Sequence, residues 1–215
     1  MSDTVPVVVT ISRQLGSGAA FVGRRLAARF GMAYLDRELL QRAAQELAVP
    51  EDELEGREET VTTFWQSFVA TYACGCPEAI YVPPTYRPTD LELFAAVARI
   101  VRQVAHAESA VIVGRGGVHV LREHPRHVSV FLHAALAFRV QRVAEVYQVS
   151  PQEARAMVEA CDKDRARYHR KVADSDWSDA RQYSLCLDTG MLGVDATVEV
   201  IASYLGLRFG VSPTG

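Results

Sequence analysis

The 215-residue chain holds only four cysteines, Cys74, Cys76, Cys161 and Cys186, too few and too scattered for a disulfide framework at this length. They read as free thiols. Cys74-Gly-Cys76 leaves a single residue between its sulfurs, fewer than the roughly two to four of structural zinc sites, so no metal is expected there. No stretch of about 18 consecutive apolar residues occurs, and the opening Met1-Ser-Asp-Thr-Val-Pro6 lacks the basic segment and apolar core of a secretory signal. A cytoplasmic protein with no membrane partner is the expectation. An excess of one charge is missing too: 23 Lys and Arg against 26 Asp and Glu leave a formal charge of -3. That balance gives the whole molecule no bias toward nucleic acid, so no nucleic-acid partner is expected. Neither G-x-S-x-G nor H-E-x-x-H occurs, which removes sequence support for a nucleophile-elbow hydrolase and a zinc peptidase. His119, His124 and His127 are close together, but with spacings of five and three and no nearby cysteine they read as structural.

What is present is ordinary globular material. Hydrophobic residues make up 49% and charged residues 23%, enough to bury a sizeable core in one domain of about 150 to 200 residues, with or without an insertion. Val5 to Ile11 is a β-branched run of strand length that ends at the glycine-bearing stretch Arg13-Gln-Leu-Gly-Ser-Gly18. Val22, Leu26 and Phe30 then recur every four residues, which predicts a helix over Ala19 to Phe30 stopped by Gly31. Tyr34-Leu35 suggests a short strand, and Asp36 stands where it would cap a helix over Arg37 to Leu47. Between Gln45 and Thr60 seven acidic residues meet one basic residue, a solvated face. Val61, Phe64, Trp65, Phe68, Val69 and Tyr72 recur at helical spacing and read as packing.

Cys74 to Pro88 contains Pro77, Pro83, Pro84 and Pro88, a loop and the candidate for a mobile or dimer-forming insertion. Thr89-Asp-Leu-Glu92 is a capping box for a helix with Leu93, Val97, Ile100 or Val101, and Val104 inward. Strands are expected at Ala110 to Val113, Val128 to Leu132 and Tyr183 to Leu187. Helices are expected from Ala134 to Tyr147, from the capping box Ser150-Pro-Gln-Glu153 onward, and through Val194 to Leu205, with 209 to 215 as a frayed tail. Apolar strands alternating with helices predict an α/β fold, a parallel sheet covered on both faces, with its ligand at the strands' carboxyl ends.

The strongest site signal is the first strand-to-helix turn. Small residues at Gly16, Ser17, Gly18 and Ala19 let backbone N–H groups close on an anion while the helix N-terminus adds partial positive charge; a phosphate is the natural guest. A working phosphate loop reads G-x-x-x-x-G-K-[ST]. Here Arg13 stands at the first glycine, Gly18 at the second, Ala19 at the lysine and Ala20 at the hydroxyl residue. Arg13 could fold over the loop in place of the lysine or form a structural ion pair. Arg139 to Lys171 holds eight basic and five acidic residues. Arg167, Arg170 and Lys171 share one helical face, which could close over phosphates or simply stay wet.

Ile11-Ser-Arg-Gln-Leu-Gly-Ser-Gly18, Tyr34-Leu-Asp-Arg-Glu38, Gly114-Arg-Gly-Gly117, Asp164-Arg-Ala-Arg-Tyr168 with Asp176-Trp177, and Leu187-Asp-Thr189 together resemble the cytidylate kinase-like family of P-loop proteins. The resemblance spans nearly the whole chain. It implies a three-layer P-loop fold with a five-stranded parallel sheet, an insertion at about 51–88 and a helical lid at about 150–180. It further implies a kinase that uses ATP and Mg²⁺ on a small-molecule nucleotide such as CMP or dCMP. Gly16, Ser17 and Gly18 with Ala19 and Ala20 would hold the donor, and Asp188 and Thr189 would lie beside its base. Asp36, Arg37 and Arg115 would bind the acceptor, and Arg165 would be a lid arginine. True cytidylate kinases carry lysine and a small or hydroxyl residue where Ala19 and Ala20 stand, and aspartate where Gly116 stands. A non-catalytic nucleotide or phosphate-binding regulator with a degenerate loop is the alternative.

Overall fold

The computed structural model describes residues 5–36, 90–114 and 116–214, with side chains described at all of these except 90–96, 100 and 172. The expected helix over Arg37 to Leu47, the acidic stretch, the aromatic stripe at 60–73 and the insertion at 51–88 lie outside the described residues.

Five strands form one parallel sheet: β1 (Val8–Arg13), β2 (Ala33–Leu35), β3 (Ala110–Val113), β4 (His127–His133) and β5 (Leu185–Asp188), in the order β2-β3-β1-β4-β5. β1 is central. It pairs Val8 with Ala110 and Ile11 with Val113 on one side, and Val8 with His127 through Arg13 with Leu132 on the other. The helices are α1 (Ala19–Phe30), α2 (Asp90–Ala107), the single turn α3 (Gly117–Val120), α4 (Leu136–Tyr147), α5 (Pro151–Ala173) and α6 (Thr189–Phe209).

Alternation along the strands sorts the core into two layers. Val9, Ile11, Val111, Val113, Val130 and Leu132 face Val22, Leu26 and Phe30 of α1 and Val198, Ile201 and Leu205 of α6. Val8 and Ile112 face Val97, Val101 and Val104 of α2, with Leu121 just after α3. A third, smaller core joins α4 to α5 through Val143, Ala154, Val158 and Cys161, and it also takes in Leu15 from the turn after β1. The three-layer architecture expected from the alternating pattern is the one found.

Several boundaries move for identifiable reasons. β1 starts at Val8, not Val5, since Pro6 has no N–H to give and the Val7 N–H donates to Ser109 Oγ at 3.0 Å. It continues to Arg13 because β4 runs alongside to Leu132. β5 begins two residues later than expected: Ser184 N–H donates to the Ser129 carbonyl at 2.8 Å, while Tyr183 closes a 3₁₀ turn (Ala180–Gln182). The tail is not frayed as expected. Gly210 caps α6 in the left-handed region, and Thr214 donates both its N–H, at 2.9 Å, and its hydroxyl, at 3.0 Å, to the Arg29 carbonyl at the end of α1.

α6 is the one described helix long and apolar enough to cross a membrane by length and composition. Four of its apolar residues pack on the sheet, Val198, Ile201, Ala202 and Leu205 being buried, whereas Met191, Leu192, Val200 and Leu207 are exposed. Asp195 and Glu199 pair with Arg25 and Arg29 of α1, and Gly193 interrupts the helical backbone at φ 72, ψ 172.

Candidate functional site

The turn from β1 into α1 lies at the carboxyl edge of the sheet, next to its central strand. Gly16 (φ +83) and Gly18 (φ +76) both occupy the left-handed region that glycine enters without strain. Gly16 has a second constraint, because a Cβ there would lie 2.7 Å from the Arg139 backbone oxygen. The Ser17 hydroxyl is turned inward and donates to the Gln14 carbonyl at 2.9 Å. Gly18 is the N-cap of α1 and offers no side-chain acceptor, and no acidic residue stands in the first turn. The opening amides of a helix have no intrahelical partner, and the macrodipole adds positive character. Ala19 and Ala20, both buried, begin the helix with neither amine nor hydroxyl. A groove runs from this loop to α4, lined on the far side by Arg142, Val146 and Tyr147.

The loop is held from beneath by a polar clamp. Asp162 on α5 accepts from the Leu15 N–H at 3.1 Å and from Arg139 Nη1 at 2.6 Å. Arg139, almost wholly buried, also donates to the carbonyls of Ala134 at 3.0 Å and Leu15 at 3.2 Å. Arg165, one turn on from Asp162, donates to the Arg13 carbonyl at 2.9 Å. The helix expected as the lid is thus joined to the glycine loop at its midpoint.

The expected site residues divide into three groups. Gly16, Gly18, Ala19, Ala20 and Arg13 line one groove. The Arg13 guanidinium, however, extends across to β3, where any side chain at Gly114 would collide with it. Asp36 is buried at the end of β2, accepting from the Tyr34 hydroxyl at 3.4 Å. Arg37 and Arg115 lie outside the described residues. Arg170, Asp188 and Thr189 stand outside that groove. Arg170 sits with Arg167 and Lys171 on the exposed face of α5, whereas Asp162, Arg165 and His169 share the inward face, so Arg170 does not converge with Arg13 and Arg165. Asp188 spends its carboxylate on capping α6, accepting from the Gly190 and Met191 N–H groups at 2.9 and 3.2 Å. Thr189 donates to the His133 carbonyl at 3.1 Å. Neither residue is among those lining the groove.

Sequence reasoning overlooks a histidine pair. His119 Nε2 and His169 Nδ1 lie 2.8 Å apart, with Ser175 Oγ 3.3 Å from His119 Nε2. Burial, then His119, Arg165 and Arg13, push His169 down to about 3; burial and Arg122 lower His119. The pair is therefore neutral at physiological pH, linking α5 to α3 beside two arginines. It also misses Arg142 and Asp162, whose partners are remote in the chain. Among the described residues no three His, Cys, Asp or Glu side chains converge to hold a metal ion.

A model of the cytidylate kinase-like family matches residues 8–191. A curated relative, cytidylate kinase of Methanopyrus kandleri, is 23% identical over 211 residues, 94% of each chain. Among solved structures, an uncharacterized protein from Eubacterium ventriosum superposes with a TM-score of 0.68 at 24% identity, covering 94% of this chain and 99% of that one. Shikimate kinase from Bacteroides thetaiotaomicron gives 0.51 at 12% identity, covering 93% and 98%. The architecture shared with these structures is the P-loop kinase fold.

Proposed function

The chain belongs to the cytidylate kinase-like family, and from that premise we propose that it transfers the γ-phosphoryl group of ATP to the phosphate of a nucleoside monophosphate such as CMP or dCMP. In that reaction an acceptor phosphate oxygen forms the new bond to the γ-phosphorus as the bond to the leaving ADP oxygen breaks. Such transfer depends on positioning and on neutralising charge spread over the phosphoryl oxygens. The observation that carries this reading is the glycine turn itself: Gly16 and Gly18 in the left-handed region, opening an uncapped helix at the central strand's carboxyl end.

On this reading the loop amides from Gly16 to Ala20 hold the donor phosphates. Asp36, Arg37 and Arg115 bind the acceptor, and Arg13 and Arg165 meet the transferring group. Arg170 would join them only by movement of α5, and Asp188 and Thr189 would support the base pocket through backbone shape. Mg²⁺ would enter with the nucleotide and be held by its phosphates and water, Ala20 giving no hydroxyl and no acidic cluster standing by among the described residues; when bound it would neutralise phosphate charge.

Ala19 and Ala20 favour a second reading, a regulator that binds nucleotide without transferring phosphate. Incubation with ATP, Mg²⁺ and a panel of monophosphates, with products separated chromatographically, distinguishes the two. Kinase activity yields ADP and a nucleoside diphosphate in equal amounts. Nucleotide binding by calorimetry with no diphosphate product from any acceptor would establish the regulator instead.

A further inference from the structure

We propose that Arg142, reaching across from α4, supplies the phosphate-binding cation that the loop itself lacks, a role resting on the donor site described under Proposed function. Position 19 is a buried alanine, so no amine rises from the loop. The other arginines near the groove make contacts away from the amides that open α1. Arg13 extends to Gly114, and Arg139 is consumed by two carbonyls and Asp162. Arg165 donates to the Arg13 carbonyl, and Arg170 stands on the outer face of α5. Arg142 remains, and its place is specific. Its guanidinium carbon and one terminal nitrogen each lie 3.2 Å from the point where a Gly18 side chain would begin. The φ of +76 is what calls for glycine at position 18; a Cβ there would make the guanidinium give by only a few tenths of an ångström, so the distance measures how closely Arg142 approaches the loop.

Phe21 explains how that position is kept. It is 46% exposed in the first turn of α1, and the Arg142 guanidinium lies over its ring at 5.3 Å from the centroid. A cation held at a helix opening runs against simple electrostatics, because the macrodipole there is already positive. The arrangement becomes favourable once an anion lies between Arg142 and the loop amides, where a guanidinium can make two parallel bonds to phosphate oxygens. Arg142 would then act in trans across the groove, doing from α4 what a lysine at position 19 would do from α1.

Calorimetric titration of the full chain with tripolyphosphate, ATP and adenosine tests this, comparing wild type with Arg142→Ala. Tripolyphosphate has no base, so it isolates the phosphate contact. Loss of one charge-assisted contact should weaken tripolyphosphate and ATP at least about tenfold while adenosine is unchanged, with the urea midpoint showing that the variant is folded. Tripolyphosphate affinity equal to wild type overturns the role, whether or not adenosine binding falls; a loss confined to ATP and adenosine would place Arg142 on the base. A wild-type chain indifferent to all three ligands would bring down the kinase reading and this role together, an outcome distinct from unaltered binding in the variant.

Discussion

Asp162 is a single carboxylate facing three demands: the Leu15 N–H at 3.1 Å, the buried Arg139 guanidinium at 2.6 Å and, farther off, the Arg165 guanidinium at 3.8 Å. Its side chain is 19% exposed and that of Arg139 is 7% exposed. For so enclosed a pair, removing one partner costs more than the pair itself contributes, because the other charge stays out of water unpaired. Asp162→Ala should therefore destabilise the fold by about 3 kcal/mol, read as a shift of the urea midpoint at unchanged slope. Asp162→Asn keeps an oxygen for Leu15 and should lose less than half as much. An alanine variant within about 1 kcal/mol of wild type would mean that water replaces the carboxylate, and that the clamp beneath the loop is ornamental.

At the scale of elements, α4 and α5 form a hairpin whose small core also grips Leu15, so anything that loosens α5 reaches the glycine loop. The start of α5 is a reciprocal capping box: Glu153 N–H donates to Ser150 Oγ at 3.3 Å and Ser150 N–H to Glu153 Oε2 at 2.9 Å. Ser150→Ala should cost about 1 kcal/mol, with faster amide exchange at 150–154 than elsewhere in the helix. Uniform exchange along α5 would show that the hairpin core alone fixes its end. This cap, with its proline at the first helical position, is legible in the sequence because every partner lies within four residues. α1 is legible to the residue for the same reason, between two left-handed glycines. The glycine loop at 16–18 is legible, being a local conformational requirement. Asp162 is not, since its partner is 147 residues away. Nor are Arg142 against Gly18, the histidine pair, or the tail bonded to Arg29, all of which exist only once distant elements are packed. Helical periodicity groups Arg167, Arg170 and Lys171 on one face but does not say whether that face turns inward, and here it is exposed.

Across the whole molecule, buried neutral histidines tie stability to pH. His127 of β4 donates to or accepts from Thr10 Oγ1 of the neighbouring strand β1 at 2.7 Å. Burial, with His124 and Arg208 nearby, pushes it down to about 4, against a bond to the Leu121 backbone that opposes the shift. His169, facing His119, Arg165 and Arg13, is pushed down to about 3. Each binds its proton at about 6.5 when the chain unfolds, so below that pH the unfolded state holds more protons and stability must fall. Above about 6.5 neither contributes a slope. Between 6.5 and 4 both do, together approaching about 2.7 kcal/mol per pH unit at the steepest, and His169 continues toward 3. The carboxylates of Glu153, Asp176, Asp179 and Glu199 are lowered by hydrogen bonds to their neighbours and add their loss only further into acid, through and below the ordinary carboxylate range. The window from about 6.5 to 5 therefore reports the histidines almost alone. Urea unfolding at a series of pH values should give a plateau above neutrality and a decline from about 6.5. His127→Gln should remove part of the decline, whatever it costs at pH 7.5. A wild-type profile flat from 7.5 to 5 would mean that both rings take up protons without leaving the fold.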